Sequence, residues 1–213
     1  MSCHHCLKIE HHFDEAKVKK ELHDYHSNGV IETTRLLIEA LKRQEINGMT
    51  LLDIGGGIGG LQFALLQEGV QHAISVEASS AFLQVAKEEA KRQGFYEAIE
   101  FHHGDFVSLA TSLPGVDIVT LDRTICCFDD MPALVNASLD KTAKFYGLVY
   151  PKASWWQKLS HVAQVLLGIF KTDAFTMYYH NPEAVDELIR SHGFSQCFFQ
   201  NVNDWLVVVY KRD

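Results

Sequence analysis

The chain has little of what marks a fibrous, disordered or disulfide-stapled protein. Only four of its 213 residues are proline, and it contains no Pro-rich linker, low-complexity run or internal repeat. Its five cysteines are an odd number with Cys126 and Cys127 adjacent, a poor disulfide framework that fits a reducing compartment. Long apolar runs are also lacking. The longest, Val165-Leu166-Leu167-Gly168-Ile169-Phe170, falls far short of the roughly 20 residues needed to span a bilayer. No apolar signal core follows Met1, so the expectation is a cytoplasmic protein without membrane insertion. Positive charge is in deficit: 19 Lys and Arg against 27 Asp and Glu leave a net −8. Such a surface does not gather phosphate backbones, and nucleic acid is not expected as a partner.

What remains is an ordinary globular composition, 47% hydrophobic and 22% charged. A chain of 213 residues is one domain, or one with a small appendage, and buries enough surface to need no staple. Residues 1–48 read as an N-terminal extension with lid helices and residues 49–213 as the main domain. In the extension, helical spacing of Phe13, Ala16, Val18 and Leu22 predicts a helix over 13–25, and a second runs from beyond Gly29 to the Asn47-Gly48 stop. From Met49 short apolar strands at 50–54, 73–76, 99–102, 117–121 and 147–150 alternate with helices at about 60–68, 79–93 and 132–145. The connection 106–112 is short enough to be a single helical turn. Nearly continuous apolar strands alternating with helices predict a parallel sheet covered on both faces. Helices at 153–170 and from Asn181-Pro182 to His192-Gly193 follow. Strands at 194–200 and 205–210 close the chain around an Asn203-Asp204 turn and must be antiparallel to each other.

The segment Leu51-Leu52-Asp53-Ile54-Gly55-Gly56-Gly57-Ile58-Gly59-Gly60 sits between a strand and a helix, where a cofactor loop belongs. Gly55, Gly57 and Gly60 satisfy the dinucleotide pattern, but Asp53 argues against pyrophosphate, which its carboxylate would repel. The same carboxylate suits a cationic ligand lying against bare backbone, and S-adenosylmethionine is such a ligand. Glu77, after the second strand, is placed to accept ribose hydroxyls, a role that NAD-binding proteins share. Asp105 and Phe106, after the third, suit an exocyclic amine and a purine face. Asp122 ends the fourth strand, where the methyl group would lie. Acids at successive strand ends fall on one rim, the ligand-binding edge of open α/β sheets.

With these motifs the chain resembles the class I S-adenosylmethionine-dependent methyltransferases: Leu51–Gly59, Val76-Glu77-Ala78, Gly104-Asp105-Phe106 and Asp117–Asp122 match in order, and Gly193-Phe194 precedes the final hairpin. The resemblance spans about residues 22–210. It implies a Rossmann-like seven-stranded sheet with helices on both faces, mostly parallel with the last strand antiparallel, and a helical N-terminal lid. It also implies cofactor contacts at Asp53, Gly55, Gly57, Glu77, Ala78, Asp105, Phe106 and Asp122. Within the family, Tyr25, Arg35 and the segment Leu148–Trp156 look closest to the magnesium-protoporphyrin O-methyltransferase-like group.

The expected activity is in-line methyl transfer to a small-molecule acceptor; a non-catalytic S-adenosylmethionine-binding regulator and an NAD-dependent oxidoreductase are the alternatives. His26 and Asp122 are the candidate general bases. Arg35 is a candidate for the cofactor carboxylate, or for a solvated helix face. Tyr25, Arg123, Cys126 and Trp155 are candidate substrate contacts, with core packing the commoner role for residues such as Cys126 and Trp155. Cys3-x-x-Cys6 with His23-x-x-His26 misses zinc-finger spacing in two places, so no metal site is expected.

Overall fold

A computed structural model of the chain describes residues 9–10, 12–152 and 177–213. Cys3, Cys6, Trp155 and the helix expected over 153–170 lie outside the described residues.

Helix α1 (Glu15–Asn28) starts where Asp14 accepts the amide of Lys17 at 3.0 Å and ends at Gly29, whose φ of 75° reverses the chain. It is polar nearly all round, with Val18 its buried residue. Helix α2 (Glu32–Lys42) is different: it buries Thr33, Thr34, Leu37, Ile38, Ala40 and Leu41. Strands β1 (Thr50–Ile54), β2 (His72–Glu77) and β3 (Ile99–His103) alternate with α3 (Gly60–Gln67) and α4 (Ser80–Gln93). The connection after β3 is α5 (Phe106–Leu109) and a further 3₁₀ turn. Then come β4 (Val116–Asp122), α6 (Met131–Leu139), β5 (Thr142–Pro151), α7 (Pro182–Ser191), β6 (Phe194–Val202) and β7 (Trp205–Arg212).

The seven strands lie in the order β3-β2-β1-β4-β5-β7-β6. Pairings from β3 through β5 are parallel, and β7 runs antiparallel to both β5 and β6. One face packs Leu37, Ile38 and Leu41 of α2, Leu61 and Leu65 of α3 and Ala90 of α4 on Leu51, Ile118, Val149 and Val207. The other packs Phe106, Leu134, Val135, Val185 and Ile189 on Leu52, Val119, Tyr146 and Leu148. Helix α2 therefore belongs to the layer covering the sheet, not to a lid; α1 lies outside that layer.

One expected element is cut. The helix expected to run to residue 145 stops at Leu139, and residues 142–145 open β5. Phe145 and Tyr146 pair with Ile118 and Val119 on one side and Lys211 and Tyr210 on the other. Two ladders of backbone bonds outweigh a short stretch of helical spacing.

Candidate active site

At the carboxyl ends of β1 to β4 the chain encloses a cavity of about 310 Å³. Its first wall is the turn after β1. Gly55 has φ 71° and Gly57 φ 55°, a region that side chains disfavour. A Cβ on Gly55 would fall 2.3 Å from Oγ1 of Thr124, whose hydroxyl donates to the Ile54 carbonyl at 2.8 Å. The glycine thus lets the loop close onto the turn after β4. At Gly57 a Cβ would meet nothing within 4 Å. Its N–H donates to Oε2 of Glu77 at 2.9 Å, while the Ser79 N–H donates to Oε1 at 2.8 Å. Burial pushes the Glu77 carboxyl up, opposed by those backbone donors. Ala78 and Phe106 also line the cavity. Asp105 lines it too, while its oxygens cap α5 by accepting from the amides of Val107 and Ser108 at 3.3 and 3.1 Å.

Asp53 is not on the cavity wall. It lies beneath the loop, 1% exposed, level with Ser75 on β2 and Thr120 on β4. Thr120 donates to its Oδ1 at 2.7 Å, whereas its Oδ2 and the Ser75 hydroxyl are buried without hydrogen-bond partners. A Cβ on Gly56 would lie 3.0 Å from both of those atoms. Burial raises the Asp53 carboxyl to about 7, against the Thr120 bond that lowers it.

The far wall is the turn after β4. Thr34 of α2 donates to Oδ2 of Asp122 at 2.5 Å, leaving Oδ1 buried without a hydrogen bond and 3.8 Å from Nε of Arg123. Burial raises the Asp122 carboxyl, opposed by Arg123 and the Thr34 bond. Arg123 holds φ 58°, an uncommon conformation for a long side chain. Cys126 and Cys127 follow on the same wall. A second cavity of about 590 Å³ adjoins, sharing Glu21, Gly57, Asp122 and Arg123 with the first and reaching Tyr25 and Thr34.

Several side chains here were not singled out from sequence. Glu21 of α1 lines both cavities, and burial pushes its carboxyl up while Arg123 draws it down. It stands one turn before Tyr25 on the same helix face, but which face of α1 meets the site is decided by packing. Thr34 and Thr124 carried no signal, because their partners lie 88 and 70 residues away. Ile9, His12 and Phe13 close the first cavity from above, with the Phe13 ring 5.3 Å from that of Phe82.

Other expected site residues lie elsewhere. His26 turns away from both cavities, its Nε2 3.0 Å from Oε2 of Glu89, beside Arg92 and Gln93. The long reach of Glu89, which also binds Arg92, draws the imidazole to α4. Arg35 pairs with Glu39 at 2.7 Å on the exposed face of α2, because the opposite face is committed to the sheet. Tyr25 lines the second cavity, where its hydroxyl accepts from Nε2 of Gln93 at 3.1 Å. Among the described residues, no three His, Cys, Asp or Glu side chains converge as metal ligands.

The residues present fit S-adenosylmethionine: two left-handed glycines, with open space beside Gly57, a buried carboxylate on the Gly57 amide and apolar walls at Ile54, Val76, Phe82 and Phe106. Comparison with known proteins agrees. A family model described as a methyltransferase domain matches residues 46–197. Ribosomal protein L11 methyltransferase of Yersinia pseudotuberculosis is 34% identical over 74 residues, 35% of this chain and 25% of that protein. Phosphoethanolamine N-methyltransferase of Triticum aestivum is 25% identical over 187 residues, 88% of this chain and 35% of that protein. The chain thus spans between a quarter and about a third of these relatives. The crystal structure of magnesium protoporphyrin IX methyltransferase from Synechocystis, with bound S-adenosylhomocysteine, superposes with a TM-score of 0.73 at 14% identity, covering 96% of this chain and 98% of that one. With the matched region running from before β1 into β6, the chain belongs to the S-adenosylmethionine-dependent methyltransferases.

Proposed function

We propose that this protein transfers the methyl group of S-adenosylmethionine to a small-molecule acceptor held between the turn after β4 and helix α1. The observation that carries the reading is the convergence on one cavity of the Gly55–Gly57 backbone, Glu77, Asp105 with Phe106, and Asp122 with Arg123, from four successive strand ends. Glu77 takes the ribose hydroxyls, exchanging its bond to the Gly57 amide. Phe106 and Phe82 flank the purine, with Ala78 and Asp105 at its edge. Asp53 acts from below, its free Oδ2 setting a negative potential under the loop that favours a cationic methionyl group.

When bound, the cofactor supplies an electrophilic methyl on sulfonium. The chain's part is to hold a nucleophile in line with it and exclude water, which is worth roughly 7–11 kcal/mol. Oδ1 of Asp122, buried and free while Thr34 fixes Oδ2, is the proton acceptor for a nucleophile that must lose one. Glu21 and Arg123 face the acceptor across the junction of the two cavities, with Tyr25 farther along the second. The net charge of −8 favours a small acceptor over nucleic acid. Free cysteines at 126, 127 and 197 fit a reducing compartment, the cytoplasm. Among the described residues no helix is long and apolar enough to cross a membrane.

A thermal melt with S-adenosylhomocysteine, with NADH as control, tests the reading. At 100 times its dissociation constant the ligand adds about 2.7 kcal/mol, a rise of roughly 5–11 °C for a domain of this size. Glu77→Gln is expected to weaken that binding by about 1.5–3 kcal/mol, the worth of hydrogen bonds to a charged group. A shift with NADH alone would overturn the assignment. Tight binding without turnover on an acceptor panel would favour a regulator.

A further inference from the structure

Cys126 and Cys127 end the 3₁₀ turn Ile125–Cys127, just beyond Asp122 and Arg123. Adjacent side chains in an extended segment point apart, but here both converge. Sγ of Cys126 lies 3.2 Å from the Arg123 carbonyl oxygen and Sγ of Cys127 lies 3.7 Å from the same atom. The left-handed φ of Arg123, 58°, wraps the chain back so that one carbonyl faces both sulfurs. The turn is pinned from outside as well: the Tyr178 amide donates to the Cys126 carbonyl at 2.7 Å, and Nε2 of His180 lies 3.1 Å from that of Ile125. Cys126 is 2% exposed to solvent, yet both cysteines line the 310 Å³ cavity, which is therefore the route to them.

A disulfide is a poor use of this pair. Neighbouring Cα atoms are about 3.8 Å apart across a trans peptide, below the roughly 4.4 Å at which disulfide geometry begins. An atom larger than sulfur, bonded to both thiols at once, is under no such constraint, and soft thiolates select soft centres. The interaction between the two thiols pushes Cys126 down and Cys127 up, while burial raises both and the nearby Arg123 guanidinium lowers both.

We propose that Cys126 and Cys127 form a dithiol site for a trivalent, thiophilic metalloid of the type R–As(III), entered from the cavity. Condensation with R–As=O breaks two S–H bonds, forms two As–S bonds and releases the oxygen with both protons as water. Arsenic stays trivalent, and no oxidant is needed. Because the second sulfur attacks within the same complex, the pair binds about 10²–10⁴-fold more tightly than either thiol alone.

The test uses the full-length chain carrying Cys3→Ser, Cys6→Ser and Cys197→Ser, titrated with phenylarsine oxide and read by intact mass and by thiol counting. The expected result is one phenylarsenic group per chain, the loss of two titratable thiols, and reversal by a dithiol but not by an equal concentration of a monothiol. Adding Cys127→Ala, at the half-buried position, is expected to weaken binding at least about 100-fold; Cys126→Ala should do the same, with a melt to confirm folding. Binding as tight in the Cys127 variant as in its parent, or two thiols still titrating after saturation, would overturn the proposal. The readout does not depend on S-adenosylhomocysteine, so it stands or falls separately from the methyltransferase reading.

Discussion

Along β1 and β2 the cavity wall is made largely of backbone, and its parts are close in sequence: the Gly57 amide and the Glu77 carboxylate that binds it are 20 residues apart. Along β4 the wall is made of side chains brought together from afar: Asp122 takes its hydrogen bond from Thr34, 88 residues earlier, and faces Glu21 of another helix. The first half needs particular backbone conformations, which only a few residue types allow. The second needs only side chains of suitable charge and length, which many sequences supply. A cofactor common to a family is met by the first kind of wall, and an acceptor that varies from member to member by the second.

The sharpest way to break the comparison is at the point where the halves touch. Gly55→Ala places a Cβ 2.3 Å from Oγ1 of Thr124 and holds alanine at φ 71°. The conformation costs about 1–3 kcal/mol and the overlap a comparable amount, so a fall of roughly 5–20 °C in the melting midpoint is expected. Thr124→Ala added to it should recover the overlap but not the conformation. A double variant no better than the single one would show that the loop is not closed onto that threonine.

A smaller effect separates the layer beneath the loop from the wall above it. Asp53 has a folded-state carboxyl near 7, above its ordinary 3.8. Its native form therefore holds the proton more tightly than its unfolded form does. The stability this contributes is complete below the unfolded value and is lost as pH rises to about 7. Between pH 5 and pH 7 the loss is about 2 kcal/mol. Asp53→Asn should flatten the pH dependence of denaturant unfolding by that amount while Thr120 keeps an acceptor. An unchanged slope would mean that Asp53 is solvated in the native protein. The asparagine variant should also bind S-adenosylhomocysteine more weakly than the parent at pH 8, where the parent carries the charge, and about as well as the parent at pH 5.5, where the parent is neutral.

The smallest effects are expected at residues that pattern alone placed in the site. Arg35 pairs with Glu39 in water, where such a pair is worth about 0.3–0.5 kcal/mol. Arg35→Ala should leave cofactor affinity and melting midpoint essentially unchanged. His26→Ala should likewise leave cofactor affinity within about twofold, since the imidazole faces Glu89 and not either of the two cavities. Loss of turnover with full cofactor binding in His26→Ala would require helix α1 to rotate when the acceptor binds.

Arg35 and His26, set against the residues at the strand ends, show why the site was only partly legible. Glu77, Asp105 and Phe106 follow strand ends, and a parallel sheet puts all of its strand ends on one edge, so their position came from periodicity alone. Arg35 and His26 sit on helices, where a face must be chosen, and the choice is made by the partner. The apolar stripe Leu37, Ile38, Leu41 turned Arg35 outward, and Glu89 captured His26. Glu21 shares a face with Tyr25, but nothing in sequence says which helix face meets β4.

The sequence by itself determined the order of strands and helices, the tight glycine turn after β1, the acids at successive strand ends and the closing hairpin, because each rests on local periodicity or on a backbone conformation that few residues tolerate. Tertiary structure alone decided that α2 joins the core, that β5 begins at Thr142, that Asp53 lies under the loop instead of on the wall, and that Thr34, Glu21 and the two adjacent thiols meet around Asp122 and Arg123. Those outcomes depend on which surfaces bury each other, and burial is a property of pairs of segments that neither segment carries alone.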